Sequence, residues 1–286
     1  MAPDEQKRAI ERLRAHYVVE RELADRLRAA PPHERSGLYV TVYDELFRRV
    51  PDHPQWTRRR TPEEQAARIA RQADRLLPFL APGGVFLEIG CGDGALSRRM
   101  ARHAREVIAV DVSDVISRSQ DPLPDNLRVI VTNGTGLPLP DDRIDLAYSH
   151  QLMEHLHPDD AMAQLQEIHR TLAPGGVYLC VTPHRASGPH DISGLFDEVA
   201  TGLHLKEYAI GELAGLFSAA GFCNPTLQVE LRGWSGLWPL WPGLACERTL
   251  NLLPHALRRK LAGTFPLRNL LGIRLVAFKS RVERGA

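Results

Sequence analysis

The apolar positions of this chain change period along its length. Between residues 4 and 29, Ile10, Leu13, Tyr17 and Val18 recur at helical spacing within a charged stretch that Pro31-Pro32 terminates. A second helix is expected from about Ser36 to Val50, stacking Leu38, Val42 and Leu46, with Tyr39, Tyr43 and Phe47 alongside. Thr61-Pro62-Glu63-Glu64 reads as a capping box, with proline at the first helical position and Glu64 reaching back to the cap. The helix it opens carries Ile69, Leu76, Leu77 and Leu80 before Pro82-Gly83-Gly84.

From there the pattern shortens. Apolar runs at 86–89, 107–110, 127–131, 144–149, 177–181, 226–231 and 273–278 have strand length. Their near-continuous apolarity is what strands covered on both faces require. The hexapeptide Leu-Ala-Pro-Gly-Gly-Val occurs at Leu80 and again at Leu172, each time where a helix ends on glycine and a strand begins. A helix bearing Leu213, Leu216 and Phe217 stops at Gly221. Alternating helices and buried strands predict a doubly wound α/β fold with a mostly parallel sheet and helices on both faces.

Composition adds boundaries. The 286 residues suffice for one large α/β domain with appendages. A hydrophobic fraction of 43% with 25% charged residues is ordinary for a globular protein, and a net charge of +1 gives no overall attraction to nucleic acid. Cys91, Cys180, Cys223 and Cys246 are scattered without ligand-pair spacing, which predicts free thiols in a reducing compartment. The charged N-terminus and the lack of a run of roughly 18 apolar residues predict a cytoplasmic protein without a membrane span.

The strongest chemical signal is Phe86-Leu87-Glu88-Ile89-Gly90-Cys91-Gly92-Asp93-Gly94, followed by Asp111 at the tip of the next strand. Glycines let the backbone turn sharply and approach a ligand, and a carboxylate about 20 residues on can accept hydrogen bonds from a ribose. An adenosine-containing cofactor is therefore expected. Gly90 to Ala95 satisfies the dinucleotide pattern G-x-G-x-x-G/A, which alone is weak. Glu88 before the turn and Asp93 within it would repel a pyrophosphate and attract a cationic or zwitterionic ligand.

At these residues the chain resembles the class I methyltransferases that use S-adenosylmethionine (SAM), whose first motif reads acidic-x-Gly-x-Gly-x-Gly. The resemblance continues in order through Val107 to Ser113, Leu127 to Val131, Asn133-Gly134, Ile144 to Ser149, Gln151 to Leu156 and Leu172 to Val181, and covers residues 80–232. It implies seven strands, with the last one antiparallel and inserted between the fifth and sixth. Residues 1–80 would form a helical cap and 81–286 the SAM-binding domain, with an insertion at about 233–271. The implied cofactor is SAM, released as S-adenosylhomocysteine. Glu88, Gly90, Cys91, Gly92, Asp93 and Gly94 would surround its methionine end, and Asp111 and Val112 would take the ribose. Asn133 and Gly134 would meet the adenine, with His150 and Gln151 closing the site at the end of the fourth strand. Many members carry Asp-Ala where this chain has Asn133-Gly134.

Methyl transfer from a sulfonium needs mainly alignment and desolvation, and an oxygen nucleophile also benefits from a base near neutral pH. His155, beside Glu154 as in quinone-biosynthesis O-methyltransferases, His150 and His184 are the catalytic candidates, with His190 and His204 on the loop expected to close over the substrate. The expected acceptor is a small molecule methylated on oxygen. The alternatives are an N-methyltransferase, a non-catalytic SAM-binding module and, more remotely, an NAD-dependent oxidoreductase. His184, His190 and Asp191 match no tight metal-ligand spacing, so no metal is expected. Arg58-Arg59-Arg60 is a candidate phosphate holder or a solvated charge run, and Trp234, Trp238 and Trp241 are candidates for a substrate wall, a core plug or a membrane-surface contact.

Overall fold

A computed structural model of the chain describes residues 3–51, 61–114, 122–231 and 234–281. The N-terminal region supplies helices α1 (Pro3–Ala29), α2 (Pro32–Arg49) and α3 (Pro62–Leu76). The expected capping box is present: Glu64 N–H donates to Thr61 Oγ1 and Thr61 N–H to Glu64 Oε2. The apolar face expected on α1 is not the buried one. Ile10, Leu13 and Val18 are exposed, whereas His16, Glu20, Leu23, Ala24 and Leu27 are buried. The covered stripe follows i, i+4, i+7 and i+11 from His16: His16 pairs with Glu20 one turn on, and Glu20 accepts from Leu203 N–H in the loop after β5.

The central sheet follows from the apolar runs. Its strands are β1 (Val85–Ile89), β2 (Glu106–Asp111), β3 (Leu127–Val131), β4 (Ile144–His150), β5 (Leu172–Thr182), β6 (Cys223–Leu231), β7 (Trp234–Trp238) and β8 (Ile273–Phe278). They lie in the order β3-β2-β1-β4-β5-β8-β6-β7. Strands β1 to β5 pair in parallel, with Leu87 opposite Ile108 and Ala147, and Tyr148 opposite Leu179. Strand β8 runs antiparallel between β5 and β6, placing Val276 opposite Leu179 on one side and Thr226 on the other. The seven expected strands are all present. An eighth, β7, is added within the expected insertion, where Val229 of β6 faces Gly236.

Alternate side chains of each strand enter two cores. Val85, Leu87, Ile89, Ile108, Ala147 and Tyr178 pack with Leu23, Tyr39, Val42 and Leu46 of α1 and α2. Leu165 of α5 (Pro158–Thr171) and Phe217 of α6 (Ile210–Ala219) join the same cluster. Phe86, Val107, Ala109, Leu146, Tyr148 and Leu179 pack on the other face against α3 and α4 (Ala95–Met100). The C-terminal helices α7 (Trp241–Asn251), α8 (His255–Ala262) and α9 (Leu267–Leu271) lead into β8. The strand order reverses direction between β1 and β4, so the crevice for a ligand lies at their carboxyl ends.

Candidate active site

The turn after β1 opens at that crevice. Gly90, Gly92 and Gly94 have φ of 73°, 54° and 67°, a region that side-chain-bearing residues enter at a cost of about 1–2 kcal/mol each. A Cβ on Gly92 would meet no protein atom within 4 Å, so its side is free for a ligand to approach. Gly90 and Cys91 donate to the Val110 carbonyl at 2.8 and 3.2 Å, which ties the turn to β2. Asp111 then fixes its outer limb: Oδ2 accepts from Gly92 N–H at 2.8 Å and Oδ1 from Ser113 N–H at 3.0 Å. Asp93 Oδ1 accepts from Ala95 N–H at 3.1 Å, and its Oδ2 meets Gln65 of α3 at 3.3 Å.

Glu88 lies beneath this turn, 6% exposed, with Ser97 Oγ donating to it at 2.5 Å. Burial pushes its carboxyl up to about 8, the charges of Asp93 and Asp111 add to that, and the Ser97 bonds oppose it. Cys91 is buried and free, and burial raises its thiol as well. Asn133 is exposed and its Oδ1 accepts from Gly136 N–H at 3.1 Å, closing its own loop. That loop borders an open depression of about 400 Å³ lined by Val131, Thr132, Leu137 and Glu167. Gly134 (φ 96°) is pressed by Tyr39 of α2 and by Val112, both within 3.4 Å of where a Cβ would stand. The groove of about 560 Å³ between α3 and the β6–β7 hairpin shares no lining residue with the turn.

The candidate histidines separate into different surroundings. His150, at the end of β4, borders a cavity of about 80 Å³ with Gln72, Tyr148 and Arg274 on the α3 face. Burial, then Arg68, Arg75 and Arg274, lower it to about 4. Gln151 beside it has φ 56° and is exposed. His184 is 3% exposed: Nε2 meets Glu247 Oε1 of α7 at 2.6 Å, and Nδ1 accepts from Ala186 N–H at 2.9 Å. His190 contacts Ser187 Oγ at 3.0 Å, and neither it nor His184 shares a close group with Asp191.

His155 and His204 do come together. His155 ends a 3-10 turn (Met153–His155) rather than lying on a helix, and its ring meets that of His204 edge to face at 4.9 Å. Its Nδ1 lies 2.9 Å from Tyr43 Oη of α2 and 3.0 Å from the Leu203 carbonyl. His204 Nδ1 lies 2.8 Å from Glu207 Oε1. Burial lowers the His155 pKa. For His204 the burial effect is outweighed by the Glu207 bond and nearby carboxylates, and its pKa rises. Glu154 is fully buried, its Oε2 accepting from Thr182 Oγ1 of β5 at 2.8 Å. The sequence marked these histidines singly but gave no sign of their meeting, because His204 reaches the site only through the fold of the loop after β5. Arg58-Arg59-Arg60 and the Trp234 side chain lie outside the described residues, Trp238 packs against the core, and Trp241 is 69% exposed.

Residues 87–180 match the methyltransferase domain family. Over 139 residues the chain is 34% identical to a probable S-adenosylmethionine-dependent methyltransferase of Mycolicibacterium smegmatis, covering 48% of this chain and 51% of that protein. It is 29% identical over 180 residues to the malonyl-(acyl-carrier protein) O-methyltransferase of Pseudescherichia vulneris, covering 62% of this chain and 65% of that one. The chain thus spans about half the length of the first curated relatives it matches. Its fold is similar to that of the Burkholderia thailandensis 1,6-didemethyltoxoflavin-N1-methyltransferase, solved with 1,6-didemethyltoxoflavin and S-adenosylhomocysteine bound. The TM-score is 0.53 at 19% identity, covering 88% of this chain and 91% of that one.

Proposed function

We propose, from the premise that residues 87–180 are a class I SAM-dependent methyltransferase domain, that the whole protein transfers the SAM methyl group to a hydroxyl oxygen of a small-molecule acceptor in a biosynthetic pathway. The observation that carries this reading is Asp111 holding the Gly92 amide at 2.8 Å. The contact fixes the turn at the crevice and leaves lone pairs on the carboxylate for ribose hydroxyls. Asp93, a carboxylate within the turn, suits the ammonium and sulfonium of SAM better than a pyrophosphate, while Glu88, protonated by its burial, braces the turn from below through Ser97.

The acceptor end is the group formed by Glu154, His155 and His204, above the carboxyl ends of β4 and β5. There the hydroxyl passes its proton to this group as its oxygen electron pair attacks the methyl carbon. The carbon–sulfur bond breaks and S-adenosylhomocysteine leaves as a neutral thioether. Helices α1 and α2 serve as a cap over this end, with Tyr43 covering His155, while α3 packs on the other face of the sheet. His150, in its own cavity, and His184, bound to Glu247, are assigned structural roles. No helix among the described residues is long and apolar enough to cross a membrane, and the reading places the protein in the cytoplasm.

The test is transfer of an isotopically labelled methyl group from SAM to panels of hydroxyl- and amine-bearing acceptors, read by mass spectrometry. An O-methyl product is expected, with turnover reduced at least about 100-fold in His155→Ala while S-adenosylhomocysteine affinity is retained. Products methylated only on nitrogen, or turnover untouched by His155→Ala and His204→Ala, would overturn the reading.

A further inference from the structure

We infer that Glu154, His155 and His204 bind one divalent transition-metal ion, leaving coordination positions open for an oxygen atom of the acceptor. A carboxylate oxygen of Glu154 and one nitrogen from each imidazole lie within 4.8 Å of one another. A tetrahedral ion holds such donors at about 2.0–2.1 Å, hence about 3.4 Å apart, so the widest pair must close by about 1.4 Å or less from its 4.8 Å limit.

Three features separate this group from an ordinary buried hydrogen-bond network. The first is the state of the imidazoles. His155 Nδ1 is held between the Leu203 carbonyl at 3.0 Å, which only accepts, and the Tyr43 hydroxyl at 2.9 Å. Glu207 holds Nδ1 of His204, at 2.8 Å. Neither Nε2 atom has a hydrogen-bond partner among the described residues, so each is open to an ion that displaces any proton on it. A carbonyl or carboxylate behind each ligating imidazole is how proteins orient histidines toward a metal. The second is Glu154. Its Oε1 is buried and has no hydrogen-bond partner, a state that costs free energy unless a cation or water supplies one.

The third is the surrounding charge. Glu20 and Asp191 face the loop that carries His204, accepting from Leu203 N–H and His204 N–H. Arg28, the nearest cation on α1, spends its donors on the carbonyls of Thr201, Gly202 and His204. The interior is therefore rich in anionic groups. Two imidazoles and a carboxylate suit Zn²⁺, Fe²⁺, Co²⁺ or Mn²⁺ rather than Mg²⁺ or Ca²⁺, and leave room for further ligands. No metal was expected here from sequence, because the donors come from two separated loops. That the open positions take the acceptor oxygen rests on the proposed methyl transfer; the binding of the ion does not.

The full chain, stripped with a chelator and dialysed, is titrated with Co²⁺ under visible absorption and with Zn²⁺ against a chromophoric chelator. S-adenosylhomocysteine calorimetry and thermal unfolding are run on the same samples. We expect one ion per chain with cobalt d–d bands, lost in Glu154→Gln and His204→Ala. The nearly isosteric Glu207→Gln, which keeps the fold while disturbing the imidazole behind the ligand, should weaken affinity by about 10–100-fold. Absence of binding in the native protein, or binding unchanged in folded Glu154→Gln, overturns the inference. Metal binding without S-adenosylhomocysteine binding would uphold the site and sink the methyltransferase reading. The reverse pattern would do the opposite.

Discussion

Arg35 and Asp160 tie α2 to α5, and cutting that tie has a calculable consequence. Arg35 Nε and Nη2 donate to the two Asp160 oxygens at 2.6 and 2.7 Å, and Tyr39 Oη donates to Asp160 at 2.8 Å while accepting from His157 N–H. Arg35 is 3% exposed. Replacing Asp160 by Leu leaves a buried guanidinium without its counter-ion, which costs about 3–5 kcal/mol. The exposed Asp159 carboxylate, 3.9 Å away, returns at most about 1 kcal/mol, so a loss near 3 kcal/mol is expected. That is a large share of the roughly 5–15 kcal/mol available to a folded protein.

The double variant Arg35→Met with Asp160→Leu removes both charges and should recover most of the loss. Urea unfolding followed by circular dichroism on the four proteins of the cycle measures this. A single-variant loss below about 1 kcal/mol, or a double variant as unstable as the sum of the singles, would refute the reasoning. The pH dependence has a fixed sign. Burial alone would raise the Asp160 pKa, but the bonds from Arg35 and Tyr39 outweigh it and lower it. The latch is therefore at full strength above the unfolded value of about 3.9, and fades as pH falls below that toward the depressed folded value.

Gly92→Ala, at φ 54° with open space beside it, should cost only about 1–2 kcal/mol of stability yet weaken S-adenosylhomocysteine at least about tenfold; calorimetry giving native affinity would contradict this. Glu88, raised to about 8 by burial, holds its proton in the folded state across a range where the unfolded chain has lost it. Stability should thus decline as pH rises from about 4.3 toward 8, and Glu88→Gln should flatten that slope in urea midpoints measured against pH. His184→Ala strips Glu247 of its side-chain partner and should destabilise by about 3 kcal/mol with turnover per folded molecule preserved; lost turnover at unchanged stability would speak for catalysis instead.

The parallel strands were legible because burial on both faces forces near-continuous apolar runs, as in Val107 to Val110. The glycine turn was legible because a backbone this tightly bent admits few other residues. Strand β7 was not. Ser235 and Gly236 are poor strand formers, and their pairing with Glu230 and Val229 comes from the adjacent β6. Helix α1 misled because its polar residues His16 and Glu20 take the buried face, paired with each other and, through Glu20, with Leu203 far along the chain. The same holds for Arg35 and Asp160, and for Glu154, His155 and His204. Arg35 and Asp160 are ordinary polar residues in sequence, whereas His155 and His204 stood out singly and only tertiary contact brings them together with Glu154.

The account rests on the glycine turn and Asp111 forming an S-adenosyl site. Isothermal titration of the full chain with S-adenosylhomocysteine tests this most directly. It should show one site per chain, with Asp111→Ala weakening it at least about tenfold, a loss of about 1.4 kcal/mol or more. A native protein that binds none, or an Asp111→Ala variant that binds as well as the native chain, would contradict it.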